Sequence, residues 1–168
     1  VRFDLYGVAK GWIADRAFRL LDAYPSALVD ADGDVAMRST STAGWGIAVA
    51  HPEDDAGELA RLRAPRGWSG DGFGVATSGT SVHRWHGRHG LSHHLIDPAT
   101  RRPAVTDVVQ ATVVAASTGL AEALAKSAVI RGSHDGFGLL HRAGAWGALL
   151  LLEDGELLAT PGTARWLA

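Results

Sequence analysis

Asp4-Leu5-Tyr6-Gly7-Val8-Ala9-Lys10-Gly11-Trp12-Ile13-Ala14-Asp15-Arg16-Ala17 is the stretch on which the reading of this chain turns. The end of a strand, two glycines and a lysine lead straight into helical spacing. A helix start preceded by glycine exposes backbone N–H groups that lack partners within the helix, and Lys10 adds a mobile positive charge in its first turn. That arrangement suits a phosphate. The spacing is neither that of a P-loop nor that of a dinucleotide fingerprint, so a tight strand-to-helix turn with a solvated lysine reads equally well at this point. The helix pattern runs to about Tyr24, with Ala9, Ile13, Ala17, Leu20, Leu21 and Tyr24 at helical spacing, and Pro25-Ser26 stops it.

Working outward, residues 26–38 read as two short strands joined at Asp30–Asp34, and residues 44–52 as a strand ended by His51-Pro52. An acidic surface loop and a strand around Leu59–Leu62 follow. Residues 72–82 form a strand running into a Gly/Ser turn, then comes a hairpin rich in His and Arg, then a turn at Asp97-Pro98. Residues 107–117 make a buried strand. Residues 118–132 make a helix closed by Gly132, and a short helix lies near Phe137–Arg142. The hairpin of residues 147–162 ends the pattern. Strands outnumber helices without alternating with them, which points to an α+β fold of mixed or antiparallel sheets packed with a few helices.

The 168 residues are the size of one domain, read here as a single unit over 1–168, and the abrupt start suggests further chain upstream. A formal net charge of −2 gives no bulk attraction to nucleic acid or an anionic membrane. The absence of cysteine excludes disulfides, thiolate metal sites and a Cys nucleophile.

Candidate chemistry sits in four further places. Asp30, Asp32 and Asp34 begin like a calcium loop, but no Glu stands at the twelfth position, so a solvated turn is the plain reading. Ala76-Thr77-Ser78-Gly79 places small residues and two hydroxyls at a strand end, where a ligand can come close. His83, His86, His89 and His93 fit no usual zinc spacing. His94 differs: it enters Leu95-Ile96-Asp97-Pro98, which fixes its backbone, and it can serve as acid, base or orienting donor. Glu122 and Lys126 stand at i and i+4, either a surface ion pair or something more, since Ala121, Ala123, Leu124 and Ala125 leave little polar face around them.

Taken in order, these segments resemble the ApbE family, the FAD:protein FMN transferases, through essentially the whole chain and over the C-terminal part of the family's length. The family pattern D-L-G-G-I-A-K-G is matched by Asp4, Leu5, Gly7, Ala9, Lys10 and Gly11. The resemblance implies that Asp4 and Lys10 contact FAD and that the Gly7 carbonyl ligates Mg²⁺. The family's N-x-G-G-D appears as Asp30 to Asp34, with Asp34 toward the cofactor. Thr77 and Ser78 lie in a segment that matches outright. His94-Leu95-Ile96-Asp97-Pro98 resembles H-I-I-D-P, which implies that Leu95 and Ile96 lie against the flavin and that His94 is the recurrent histidine. The family's A-D-A-L-A-T-A, whose Asp and Thr bind Mg²⁺, reads Ala121 to Ser127 here, with Glu122 and Lys126 at the two ligand positions. Glutamate can still bind a hard cation, whereas a protonated lysine cannot. Either Ser127 or Thr118 substitutes as a ligand, or Lys126 pairs with Glu122 and replaces the charge of the metal.

The resemblance implies transfer of FMN from FAD to a threonine of a target flavoprotein with release of AMP. His94 would assist, and Mg²⁺ would be held by Gly7 and Glu122. The alternatives are a non-catalytic flavin-binding relative and an FAD pyrophosphatase. The N-terminal part of the family, which carries some of the flavin pocket, is expected to be missing. Members are often extracytoplasmic lipoproteins, so membrane association would come only through an anchor upstream.

Overall fold

The computed structural model describes residues 5, 7–40, 45–65, 68, 72–87 and 90–168. Helix α1 (Ala9–Arg19) leads into β1 (Ala27–Ala31), β2 (Asp34–Arg38), β3 (Gly46–His51), β4 (Asp54–Arg63) and β5 (Phe73–Gly79). Then come β6 (Arg84–Gly87), β7 (Gly90–His93), β8 (Ile96–Asp97), β9 (Arg102–Pro103), β10 (Val108–Ala115), α2 (Thr118–Arg142), β11 (Gly147–Leu152) and β12 (Leu157–Ala159). The frame is one six-stranded antiparallel sheet in the order β1-β2-β5-β10-β11-β12, with two-stranded hairpins beside it. The fold is α+β, as the pattern of elements leads one to expect.

The β1–β2 hairpin is dictated locally. Ala31 pairs with Asp34, which leaves Asp32-Gly33 as a two-residue turn, and both take positive φ (56° and 87°). That is the turn Asp-Gly prefers, because its backbone matches the twist of the strands. It also splays the three aspartates: Asp30 and Asp32 are exposed, and Asp34 is buried on the sheet.

Alternation along the strands sorts the core into two faces. Ala36, Ala76, Ala111, Val113, Ala148 and Leu150 face the two helices, which answer with alanines and with the larger Phe18, Leu124 and Leu140. Val75, Val114, Leu149 and Phe73 face the other way, onto the β3–β4 hairpin and a ring cluster of Trp68, Trp146 and Trp166. Trp166 is fully buried, with ring centroids 4.8 Å from Phe73 and 5.4 Å from Trp68. A side chain so enclosed contributes roughly 2–3 kcal/mol of apolar burial, with ring pairing in addition.

Three expectations are corrected. Helix α1 stops at Arg19, not near Tyr24, and buries Gly11, Ala14 and Phe18. Of the apolar residues at helical spacing, Ile13, Leu20 and Tyr24 are exposed, as are Trp12 and Val8, while Ala9, Ala17 and Leu21 are half-buried. Glycine and alanine won the inner face because α1 must lie close to α2. The acidic segment after Pro52 is the start of strand β4, paired with β3, and not a loop. The expected break at Gly132 is present as a kink with φ of 75° inside the long α2, and Asp107 accepts hydrogen bonds from the Ser133 N–H and hydroxyl where the helix resumes.

Candidate functional site

The two helix starts are pressed together by glycines. A Cβ on Gly11 would stand 2.7 Å from the Thr118 carbonyl oxygen, and one on Gly74 would stand 2.1 Å from the Thr118 nitrogen. Both positions therefore need glycine for close approach of backbone to backbone. The Thr118 hydroxyl is buried and donates to the Val35 carbonyl at 3.2 Å. So α1, α2, β2 and β5 converge at one point.

At that point the helices cap each other. Asp15 of α1 accepts the Thr118 N–H at 2.8 Å and the Gly119 N–H at 2.9 Å, beside the Ser117 side chain on Leu120 N–H. In return Glu122 of α2 accepts the Gly11 N–H at 2.8 Å. Val8 at the N-cap of α1 offers no side-chain oxygen, so Glu122 does from a distance what a capping Ser or Asp does locally.

Glu122 is fully buried, and its other oxygen accepts from Lys126 Nζ at 2.7 Å. The Glu122–Lys126 pair is therefore not a solvated surface pair. On the neighbouring side Lys10 Nζ stands 3.3 Å from Asp34 Oδ2 and donates weakly to the Asp32 carbonyl at 3.4 Å. Burial pushes the Asp34 carboxyl above the ordinary range; Lys10 opposes this, and the negative charge of Glu122 adds to it. Two lysines and two carboxylates thus share the start of α1.

His94 lies within electrostatic reach of Lys126. Its ring meets His83 edge to face at 5.2 Å, and its buried Nδ1 has no hydrogen-bond partner. Burial first, then His83, hold its pKa below that of a free imidazole, so the ring favours the neutral form that can take up a proton. Leu95 is buried in the helix-facing core and Ile96 is exposed.

The sequence-predicted residues thus divide. Gly7, Lys10, Asp34, Glu122 and Lys126 come together, with His94 nearby. Thr77 and Ser78 sit on opposite faces of β5: Ser78 is buried on the helix side, while the Thr77 hydroxyl bonds Thr112 at 2.8 Å on the other. Asp4 and His89 lie outside the described residues. His86 belongs to the exposed β6–β7 hairpin, and among the described residues no three His, Cys, Asp or Glu side chains gather to hold a metal. Sequence reasoning missed Asp15, whose partners lie more than 100 residues away, and it weighed His83 only as a metal ligand, not as the neighbour of His94.

The family model for the ApbE family matches residues 1–150. The chain belongs to the ApbE family. A curated relative, the FAD:protein FMN transferase of Treponema pallidum, is 31% identical over 96% of this chain and 47% of its own length. The FAD:protein FMN transferase of Vibrio cholerae is 30% identical over 79% of this chain and 40% of its own. The crystal structure of the ApbE protein of Thermotoga maritima superposes with a TM-score of 0.84 at 26% identity, covering all of this chain and 54% of the other. The chain spans about half the length of these relatives and matches their C-terminal part.

The resemblance to the ApbE family also implies Mg²⁺ between the Gly7 turn and positions 122 and 126, and the residues present do not fit it. Mg²⁺ demands near-octahedral oxygen ligands. Here Glu122 already serves Gly11 and Lys126, the Thr118 hydroxyl serves Val35, and the Lys126 stem lies against the Gly7 turn, 3.9 Å from where a Cβ would sit. A divalent ion about 4 Å from an ammonium would be repelled by roughly 8 kcal/mol at an effective dielectric of about 20.

Proposed function

We propose that this chain forms the C-terminal part of an FAD:protein FMN transferase. What carries the reading is the convergence of Lys10 and Lys126 at the start of α1, in a chain whose curated relatives are named for that activity. The two ammonium groups and the N-terminus of α1 suit the diphosphate of FAD, which needs positive charge and N–H donors on more than one side. Asp4, Asp34, Ser78 and Ile96 serve as further contacts to the dinucleotide, and Leu95 backs the His94 segment from the core. Thr77 contributes by holding Thr112 and so the strand pair.

The transfer is a displacement at phosphorus. The hydroxyl oxygen of a threonine on the target flavoprotein forms a bond to the FMN phosphorus as the bridging P–O bond of the diphosphate breaks. AMP leaves with the bridging oxygen and its electron pair. His94, kept neutral by burial and by His83, takes the hydroxyl proton on its imidazole. Lys10 and Lys126 neutralise charge as it moves toward the leaving AMP. Mg²⁺ enters none of these steps.

The 168 residues supply part of this site, and the rest comes from chain outside them. Two observations support that. The groove along α1 and the start of α2, about 690 Å³ and lined by Leu5, Val8, Trp12, Ile13 and Leu120, is apolar and open, and it does not include the lysine cluster. The relatives also run to about twice this length.

The test uses the longest native form of the protein, FAD, and an acceptor domain with an exposed threonine motif. A gain of one FMN in acceptor mass with matching AMP is the expected result. AMP without a mass gain would reassign the site to water as acceptor, an FAD pyrophosphatase. Bound FAD with neither product would leave a flavin-binding relative.

A further inference from the structure

We infer that the Lys126 ammonium occupies the place of a divalent cation in this chain and meets the diphosphate in its stead, so that dinucleotide binding needs no metal. The inference rests on the flavin reading for the identity of the ligand, but its cation half stands on the cluster alone.

Three observations carry it. Glu122 is the only carboxylate on α2 in the cluster; it is fully buried and both of its oxygens are engaged, one by a backbone N–H and one by Lys126. A carboxylate recruited by a metal would turn its lone pairs to the ion, and here the partner that it faces is already cationic. The second observation is steric. The aliphatic stem of Lys126 borders the Gly7 turn, its Cδ 3.9 Å from where a Cβ on Gly7 would sit, so carbon stands where the family places an oxygen ligand to an octahedral ion. The third is what the ammonium has left. Lysine carries three N–H donors, one of them is given to Glu122, and the side chain keeps 21% of its exposure. Lys10 stands on the far side of the same helix start, 47% exposed. Each ammonium group therefore lies beside a buried carboxylate and keeps part of its surface open to a ligand. Anchoring fixes their positions before the ligand arrives, which a bare surface lysine lacks.

The charge bookkeeping is consistent. A metal site brings two positive charges and consumes the charge of its carboxylate. Here Lys126 with Glu122 and Lys10 with Asp34 are each neutral in sum, so an arriving diphosphate gains directed N–H donors and the helix terminus, not a large net charge. Binding is therefore expected to depend only weakly on salt as well as to ignore chelators.

The experiment uses the longest native protein with two probes. Mn²⁺ in place of Mg²⁺ is followed by EPR, with and without FAD, and FAD affinity is measured by fluorescence quenching in EDTA and in Mg²⁺. The wild type is expected to leave the free Mn²⁺ signal undiminished and to bind FAD within about twofold under the two conditions. Lys126→Thr is expected to lose about tenfold or more in FAD affinity in EDTA, to regain it in Mg²⁺, and to take up Mn²⁺. A wild type that binds one Mn²⁺ per chain, or whose FAD affinity falls about tenfold in EDTA, overturns the inference. The wild-type arms decide the matter even if the variant fails to fold. If FAD binds under neither condition, the flavin reading falls. An undiminished Mn²⁺ signal then upholds the exclusion of the cation, and uptake of Mn²⁺ overturns it.

Discussion

Glu122 and Asp107 perform the same local task in different surroundings. Each is a carboxylate that accepts the N–H of a residue opening a stretch of helix from elsewhere in the fold: Glu122 takes Gly11, and Asp107 takes Ser133. Asp107 is exposed, no lysine or arginine pairs with it among the described residues, and the Ser133 hydroxyl and N–H hold its carboxyl below the ordinary range. Glu122 is fully buried and shares its charge with Lys126. The difference teaches that a helix cap becomes a site when burial forces it to recruit a counter-charge, since a desolvated carboxylate must be paired. Asp15 stands between the two, partly buried and bound to two N–H groups at once.

The comparison can be broken by mutation, starting where the largest effect is expected. Lys126→Met strands a buried carboxylate and should cost about 3 kcal/mol in urea unfolding, more than Glu122→Gln, whose released lysine can turn to water. A cost under about 1 kcal/mol would mean that the pair is not what holds Glu122 in place. Asp15→Ala removes two N–H acceptors at the start of α2 and should cost about 2 kcal/mol by the same measurement.

Asp107→Ala should cost about 1 kcal/mol at neutral pH, while Asp107→Asn, an equally good cap, should cost little. The lowered pKa of Asp107 fixes the sign of its pH dependence. Its contribution is complete above the unfolded value of about 3.9 and is lost as pH falls through the lower folded value. Thermal melts of Asp107→Ala should therefore converge on the wild type as pH falls into the acid range. An unchanged gap down the acid range would sink the capping account.

Asp34 sharpens the contrast with the smallest effect and the opposite sign. Its folded pKa is raised, so the wild type bears a penalty that grows as pH rises from about 3.9 to the folded value. Asp34→Asn, within about 1 kcal/mol of wild type overall, should gain relative stability as pH rises through that window. A relative loss would show that Lys10 outweighs burial.

The parts of this fold legible from sequence were those set by local backbone chemistry. Asp32-Gly33 announced a hairpin, Gly132 a helix break and Asp97-Pro98 a turn, in which Asp97 now accepts the Ala99 N–H at 2.9 Å. Of the candidate site, Lys10, Asp34, Glu122 and Lys126 are legible, and so is the Glu122–Lys126 pair, whereas the bond from Gly11 N–H to Glu122 and the Lys10–Asp34 pair are not. The spacing of Ile13 and Leu20 does not reveal the inner face of α1, because the contact with α2 demands Gly11 and Ala14 there. Thr77 and Ser78 were paired by adjacency, although neighbours in a strand point to opposite faces.

The sequence by itself determined element types, turns and family, because backbone dihedral preferences and a two-residue or 3.6-residue period are written over a few neighbouring positions. Only the tertiary structure decided that Glu122 caps a helix 111 residues away while holding Lys126. The i,i+4 spacing offers the Lys126 pair, but burial and a contact across 111 residues depend on how the chain packs, and no local pattern encodes either.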